Sequence, residues 1–362
     1  MFTRFETLSP KKLTGHYVQN PDFSPEETSS LWRGFRAKLK ELNFPEGEEL
    51  FSVQLHENGN SGRILQRWAA ARTELLSGEM ESLEIKDGLY AVFLYRGGMA
   101  GFESFLINAF VKTIPSFGLG IDNRPHFQVL GKGFDPFSEE SEEEVWIPVK
   151  PLNSGLDFRL RSIASMSALL SLGHRMDELR LRMDLAMETG FSLSDLKEII
   201  LQICLYAGFP RSLNGMACLR GLMESRNQRG QDTEEGVKPS PQPEGISRYQ
   251  LGWDTLQSLD PDFIHRLKAG LEPVSPELFS LVLEHGYADI FYRDNLDIRQ
   301  REAAVVAAMV AVENADPQLS FHILAAMGTG IERGLMTEII HDAAVAAGKN
   351  PEHALGLLNN IV

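Results

Sequence analysis

Residues Glu178 to Pro210 read ELRLRMDLAMETGFSLSDLKEIILQICLYAGFP, and much of this pattern returns later in the chain at a constant distance. Leu156, Asp157, Arg159 and Arg161 fall on Leu296, Asp297, Arg299 and Arg301 at a shift of 140 residues. Without a gap, the same shift carries Leu179 onto Leu319, Ala186 onto Ala326, Met187 onto Met327, Gly190 onto Gly330 and Glu198 onto Glu338. It also carries Ile199 and Ile200 onto Ile339 and Ile340, and Gly208 onto Gly348. So many coincidences at one offset mark a duplicated unit. Within it the apolar positions recur with a period near 3.6, which predicts helices. Leu169, Leu170 and Leu172 close one helix at Gly173; Leu179, Leu181, Met183, Ala186 and Met187 form the next, ended by Gly190. Ser192 or Ser194 caps a third, with Leu196, Ile199, Ile200, Ile203 and Cys204 apolar, before Gly208-Phe209-Pro210 breaks it and a fourth begins.

Outward from this repeat, residues Asn227 to Ser247 are polar, rich in Pro and Gly and aperiodic, and read as a linker. The second copy adds helices at Asp262 to Leu271 and Pro276 to Tyr292 ahead of its duplicated core. Residues 1–152 follow another pattern, mixed α and β. A strand at Lys12 to Val18 leads to an N-cap at Ser24-Pro25-Glu26-Glu27 and a helix with Leu31, Trp32, Phe35 and Leu39 on one stripe, then strands at Leu50 to His56 and Leu65 to Thr73. The order then repeats: strand Gly88 to Tyr95, helix Gly101 to Thr113, strands Pro125 to Leu130 and Glu144 to Val149. The expected fold class is multidomain α+β and all-α. A duplicated strand-helix-strand-strand domain (1–152) precedes a truncated helical repeat (153–226), a linker (227–247) and a second helical repeat (248–362). A cleft is expected where the two α+β halves meet.

Hydrophobic residues make up 43% and charged residues 23% of the chain, an ordinary globular composition. The net charge of −15 repels a phosphate backbone, so nucleic acid is not an expected partner. Neither a signal-peptide core nor a membrane-length apolar run is present in the sequence, and a cytoplasmic protein is expected. Cys204 and Cys218 form no CxxC, so no zinc or other metal site is expected and both read as core thiols.

The motifs LW-x2-F at Leu31 to Phe35, GLYAVFLYRG at Gly88 to Gly97, RPHFQVLGKGF at Arg124 to Phe134 and SEEEVWIPVKP at Ser141 to Pro151 resemble the gyrase-inhibitor-like effector-binding domain. The resemblance implies a small-molecule pocket lined by aromatic residues, often with a carboxylate for cationic or polar ligands. Trp68, Tyr90, Phe93, His126, Phe127 and Trp146 are the candidate ligand contacts, since rings supply area and a face for cations. The alternative for each ring is a place in the core between sheet and helix. Gln128 stands where relatives often carry Glu. The acidic run Glu139, Glu140, Glu142, Glu143, Glu144 reads as a solvated loop entering the last strand. Regulators of this kind join the domain to a DNA-binding helix-turn-helix, and no such segment is visible.

Both helical copies resemble the carboxymuconolactone decarboxylase family, related to the alkylhydroperoxidase-D-like proteins. The resemblance rests on LD-x-R-x-R, EL-x8-AM-x2-G, a Glu in the next helix and YAGFP at Tyr206 to Pro210. It implies a homo-oligomer, trimer or hexamer. The peroxidase branch carries Cys-x2-Cys-x3-His, but Ala315 and Gln318 precede His322, and the first copy has Arg175, Glu178 and Arg182, so thiol peroxidase chemistry is not expected. The decarboxylase branch needs no cofactor, only a cation for a carboxylate and a group titrating near neutrality. His322 stands where the family's histidine stands; Glu302, Glu338 and His341 complete the candidate catalytic set. The competing reading is that Arg299, Arg301, Glu302 and Glu338 only form ion pairs that fix helix packing or a subunit contact. That reading is favoured by Arg159, Arg161 and Glu198, which persist in the copy that lacks the histidine. Two functions follow as expectations: a cofactor-independent lyase or isomerase acting on a small organic acid or lactone, or a ligand-binding sensor whose helical repeats serve assembly.

Overall fold

The computed structural model describes every residue except 23, 46, 58–62, 77–79, 132–139, 154 and 362. Glu139 and the last three residues of the Arg124 to Phe134 motif therefore lie outside the described residues. The chain forms two compact units, residues 1–153 and 154–362.

The first unit is a nine-stranded antiparallel sheet with two helices. Its elements are β1 (Phe2–Leu8), β2 (Lys11–Gln19), α1 (Pro25–Glu41), β3 (Leu50–His56), β4 (Ile64–Arg72), β5 (Glu81–Ile85), β6 (Gly88–Arg96), α2 (Met99–Asn108, continued by a π turn to Thr113), β7 (Leu119–Ile121), β8 (Phe127–Leu130) and β9 (Glu142–Pro151). The strands run β1-β6-β9-β8-β3-β4-β2-β5, with β7 on β9. This order is symmetric about the β3–β8 pair: β2, α1, β3 and β4 match β6, α2, β8 and β9. Each half also takes its outer strand from the lead-in to the other half, β1 pairing with β6 and β5 with β2. The duplicated strand-helix-strand-strand plan is present; β1, β5 and β7 are additions to it. Ser24 caps α1 by accepting from the Glu27 N–H at 3.1 Å, as its sequence signature requires.

The sheet has two different faces because side chains alternate along a strand. Phe51, Val53, Trp68, Tyr90, Val92, Phe127 and Trp146 share one apolar cluster. On the opposite face Leu31, Phe35 and Leu39 of α1 pack on Ala69 and Ala71 of β4.

The second unit is helical: α3 (Leu156–Leu172), α4 (Met176–Glu188), α5 (Leu193–Ala207), α6 (Phe209–Gln228), α7 (Arg248–Leu259), α8 (Pro261–Leu271), α9 (Pro276–Leu281) running into a π segment (Val282–Phe291), α10 (Ile298–Val312), α11 (Asp316–Gly328), α12 (Arg333–Ala347) and α13 (Glu352–Asn359). The 140-residue shift is visible in the backbone. It superposes the bounds of α4 on α11 and of α5 on α12. It also matches Gly190 at φ 96° with Gly330 at φ 97°, a left-handed turn that favours glycine. Ser192 caps α5 in a capping box with Asp195. The segment read as a linker is shorter at its start, because α6 continues to Gln228, and it is strapped to the unit. Its Glu234 and Glu235 carbonyls accept from the Leu193 and Ser194 N–H groups at 2.8 and 2.9 Å, and Ser240 bonds Asp294.

The repeats are locked by an exchange of charges. Arg161 on α3 donates to Glu338 at 2.9 Å and Asp342 at 2.5 Å on α12. Its counterpart Arg301 on α10 donates to Glu198 at 3.0 Å and Gln202 at 2.8 Å on α5. Each arginine thus reaches the acid of the other repeat. Arg301 and Glu198 are each 1% exposed, whereas Glu338 is 47% exposed. Removing one partner of a buried pair strands a charge and costs about 3–5 kcal/mol, while a half-exposed pair contributes about 0–1 kcal/mol. Urea unfolding of the helical unit should therefore show Glu198→Ala or Arg301→Ala to be several-fold more destabilising than Glu338→Ala; equal losses would contradict the asymmetry.

Candidate functional site

In the N-terminal unit a cavity of about 510 Å³ opens over one face of the central strands. Ser52 and Gln54 of β3, Arg67 of β4, Tyr95 of β6, Gln128 and Leu130 of β8 and Glu143 of β9 line it from the sheet; Thr28 and Trp32 of α1 and Phe102, Glu103 and Leu106 of α2 line it from the helices. Alternation explains the set. Ser52 pairs with Gln128, Leu130 with Glu143 and Tyr95 with Glu143, so these residues point to one side. Arg67 donates to the Thr28 hydroxyl at 2.7 Å, and the Tyr95 hydroxyl donates to the Gly98 carbonyl at 2.7 Å.

Glu143 corrects the sequence reading of its acidic run. Glu142, Glu143 and Glu144 lie within β9, and Glu143 is 6% exposed. Burial pushes its carboxyl up to about 7, against the opposing pull of Arg67. Burial likewise lowers the Arg67 pKa, offset by Glu27 and Glu143.

None of the six aromatic candidates is among the residues lining this cavity, and for four of them the reason is again strand parity. Trp68, Tyr90, Phe127 and Trp146 point to the opposite sheet face, where internal cations already occupy ring faces. The Arg124 guanidinium lies 4.8 Å from the Tyr90 ring centroid, and Arg4 and Lys11 lie 5.2 and 5.6 Å from that of Trp146. Phe93 packs on Phe2 and Phe105. His126 is buried beside His56, and burial followed by that neighbour's charge lowers its pKa to about 3, so it is a neutral core histidine. The cavity residues were marked in the sequence by polar side chains at alternate positions of apolar strands: Ser52 and Gln54 in FSVQL, Arg67 in LQRWA, Gln128 in FQVL.

In the helical unit, His322 Nδ1 of α11 lies 2.8 Å from Glu302 Oε2 of α10, and both residues are buried. Phe321 and Tyr206 meet the His322 ring edge to face, at 5.0 and 5.8 Å between centroids. Tyr206 belongs to α5 of the first repeat; burial, then Tyr287 and Glu302, hold its phenol well above the usual value. Tyr287, in the π segment, is raised by burial and by Glu302. A Cβ at Gly252 of α7 would collide with the Leu283 carbonyl, so the glycine lets α7 seat against that segment. Neither tyrosine was singled out as a site residue, although Tyr206 begins the YAGFP motif. Glu338 and His341 do not join this group. Glu338 belongs to the Arg161 contact, and His341 is 59% exposed with Asp342 3.9 Å away. Arg299 and Arg301 form the ion pairs of the competing reading: Arg299 lies by Asp297 at 3.6 Å, and Arg301 is turned to Glu198, Gln202 and the Arg293 carbonyl. Of the candidate four, His322 and Glu302 form a buried unit. Among the described residues no group of three or more His, Cys, Asp or Glu is placed to hold a metal ion, and no helix is long and apolar enough to cross a membrane.

Residues 1–150 match the GyrI-like small molecule binding domain family, and residues 276–360 match the carboxymuconolactone decarboxylase family. A curated relative, 4-carboxymuconolactone decarboxylase of Acinetobacter baylyi, is 41% identical over 69 residues, 19% of this chain; the chain spans about half of that relative's length, 47%. Similar solved structures include SAV2435 bound to tetraphenylphosphonium, at 16% identity and a TM-score of 0.33, covering 42% of this chain and 96% of that one. An integron cassette protein from the mobile metagenome of Vibrio cholerae shows 17% identity and a TM-score of 0.31, covering 41% of this chain and 95% of that one. The chain thus carries a small-molecule-binding domain of the GyrI-like type and a carboxymuconolactone-decarboxylase-family domain.

Glu143 makes the stability of the N-terminal unit depend on pH. Its folded pKa lies near 7 against 4.5 ordinarily, so the unfolded chain gives up the proton first. Stability is lost as pH rises from about 4.5 to 7, by up to roughly 3 kcal/mol. Glu143→Gln should unfold at higher urea concentration than wild type at pH 8 and at nearly the same concentration at pH 5; a pH-independent difference would place the proton elsewhere.

Proposed function

We propose that this protein captures a small organic molecule in the N-terminal cavity, and the observation that carries the reading is the cavity itself. Polar groups of one sheet face form its floor, and Trp32, Phe102 and Leu106 give it apolar walls. The ligand site lies on the face opposite to the candidate rings Trp68, Tyr90, Phe127 and Trp146. Trp32 fluorescence and calorimetry with a panel of amphipathic aromatics test it. Trp32→Ala and Phe102→Ala should weaken the bound members at least about tenfold, as removal of a buried aromatic contact does, and Tyr90→Ala should not act through ligand contact. Indifference to all cavity substitutions would remove the site.

A second reading is favoured by the buried His322–Glu302 pair: a cofactor-independent lyase or isomerase acting on a small organic acid or lactone. Glu302 orients the imidazole, His322 moves the proton, and Tyr206 and Tyr287 offer neutral phenols beside it. Residues 153–226 are on this view a degenerate copy of the same family, with Arg182 in the histidine's place. Turnover of 4-carboxymuconolactone by the full chain, reduced about 10²–10⁴-fold in His322→Ala and Glu302→Gln, is the expected result; His341→Ala should leave the rate unchanged. Absence of turnover in the intact protein would leave the helical unit a scaffold and the whole protein a non-catalytic sensor.

Association with further copies of the chain through the helical unit belongs to the same reading. Phe209, Leu213, Leu278, Leu281, Leu324 and Val345 are exposed apolar residues of that unit. Native mass spectrometry should report a trimer or hexamer; a monomer at micromolar concentration would exclude it.

A further inference from the structure

The N-terminal unit has a second cavity, of about 340 Å³, that the ligand-site reading does not use; His56, Gln19, Gln66 and Asn123 contribute to its wall. His56 stands beside a second, deeper imidazole. Val53 pairs with Phe127 and the Gln54 N–H donates to the His126 carbonyl at 3.4 Å, so His56 lies two residues further along β3 on the face that His126 shares. Diagonal neighbours on paired strands are within reach of long side chains, and the two ring centroids are 5.2 Å apart with the planes at 49°. The Nε2 atoms of both rings are buried. An imidazole-bound zinc ion sits about 3.2 Å from the ring centre, about 2.0–2.1 Å of bond and about 1.1 Å of ring. Centroids 5.2 Å apart then subtend an angle of about 110° at such an ion, which is the tetrahedral value. Burial, followed by the charge of His56, lowers the His126 pKa to about 3, so its ring is already in the neutral form that binds a metal.

We propose that His56 and His126 form a binding site for a divalent metal ion of the zinc class, with the Asn123 carboxamide oxygen as third donor and a fourth position open to the cavity. Of the three carboxamides at the wall, two serve each other: Gln66 donates to Gln19 at 3.0 Å and accepts from Trp68 Nε1 at 2.9 Å. Asn123 donates from its backbone N–H to Asp122 and keeps its carboxamide for the cavity. Imidazole nitrogen favours Zn²⁺, Co²⁺, Ni²⁺ and Cu²⁺ over the harder Mg²⁺ and Ca²⁺. Among the described residues no thiolate or carboxylate lines this cavity, so the ion keeps its full charge, and its open position takes water or a carbonyl or anionic oxygen. The site is distinct from the larger cavity, although the rows Ser52-Gln54-His56 and Gln128-His126 belong to the same sheet face.

The full chain, stripped with a chelator, is titrated with Co²⁺, Zn²⁺ and Mg²⁺. Co²⁺ should give the visible absorption of a tetrahedral site and Zn²⁺ should displace it one for one, whereas Mg²⁺ in about hundredfold excess should not. His56→Ala and His126→Leu should each weaken Zn²⁺ binding about 10–100-fold or more, and Asn123→Ala about tenfold. Because the ion binds the folded form, Zn²⁺ should also raise the urea midpoint of the N-terminal unit, and this shift should vanish in His56→Ala. His126→Leu keeps the core filled; should it not fold, His56→Ala at the half-buried end of β3 decides alone. His285, His341 and His353 each lie beside an aspartate and are the rival ligands. The triple variant His285→Ala, His341→Ala, His353→Ala should retain the Co²⁺ spectrum. Absence of the spectrum in the wild type, affinity unchanged in His56→Ala, or its loss in the triple variant overturns the proposal; unchanged affinity in Asn123→Ala overturns the assignment of the third donor.

Discussion

A guanidinium that is 1% exposed cannot remain without partners, and the arrangement of the helical unit follows from how Arg301 is satisfied. Its donors go to Glu198, Gln202 and the Arg293 carbonyl, and Glu198 also receives Arg293 at 2.7 Å. This fixes α5 of the first repeat against α10 of the second. Two consequences reach the His322 group. Arg301 and Glu302 are neighbours on α10, about 100° apart around the helix, so an arginine turned to α5 leaves its neighbour free to face α11 and His322. Tyr206 lies on the same α5 as Glu198, two turns further on, and comes to rest against the His322 ring. The Arg301–Glu198 ion pair and the buried Glu302–His322 pair thus share one helix, and the first sets the geometry of the second.

The N-terminal unit depends on a comparable division of labour between the two faces of one sheet. One face collects the aromatic rings and pairs them with Arg4, Lys11 and Arg124 from within the chain. The other face carries Ser52, Gln54, Arg67, Gln128 and Glu143 under two helices. Glu143 is held there despite a burial cost that raises its pKa to about 7. The cavity opens over this face and not over the aromatic one, so the buried carboxyl lies beneath open space while the rings opposite are packed.

Periodicity made the architecture legible. The constant shift found both helical repeats, the cap at Ser24 found α1, and alternation found the paired halves of the sheet. The edge strands β1 and β5 escaped because FTRFETL and ESLEI are half-polar segments without a clear apolar alternation. The binding site was harder for a physical reason. Aromatic side chains are conspicuous in sequence but equally suited to a core, and a strand shows two faces whose roles only the packed helices decide. Trp68 and Arg67 are adjacent residues on opposite faces, and the ring drew the assignment. In the helical unit His322 and Glu302 were visible as types at a familiar spacing. Their separation from Glu338 and His341 was not, because those two lie on another helix with another partner.

The pairing of Arg161 with Glu338 and of Arg301 with Glu198 also accounts for a feature that a single repeat does not explain. Arg161 and Glu198 occur in the repeat where Arg182 replaces the histidine, so they have no imidazole of their own to serve. Their partners lie in the other repeat: Glu198 neutralises Arg301, and Arg161 holds Glu338 and Asp342. Arg182, at the position matching His322, meets Glu178 one turn earlier on α4 at 3.1 Å, outside this exchange. Losing Glu198 would instead strand Arg301 beside Glu302 and displace the helix that carries Tyr206. The framework residues of the first repeat thus find their partners in the second, and each repeat depends on the other for the neutralisation of its arginine.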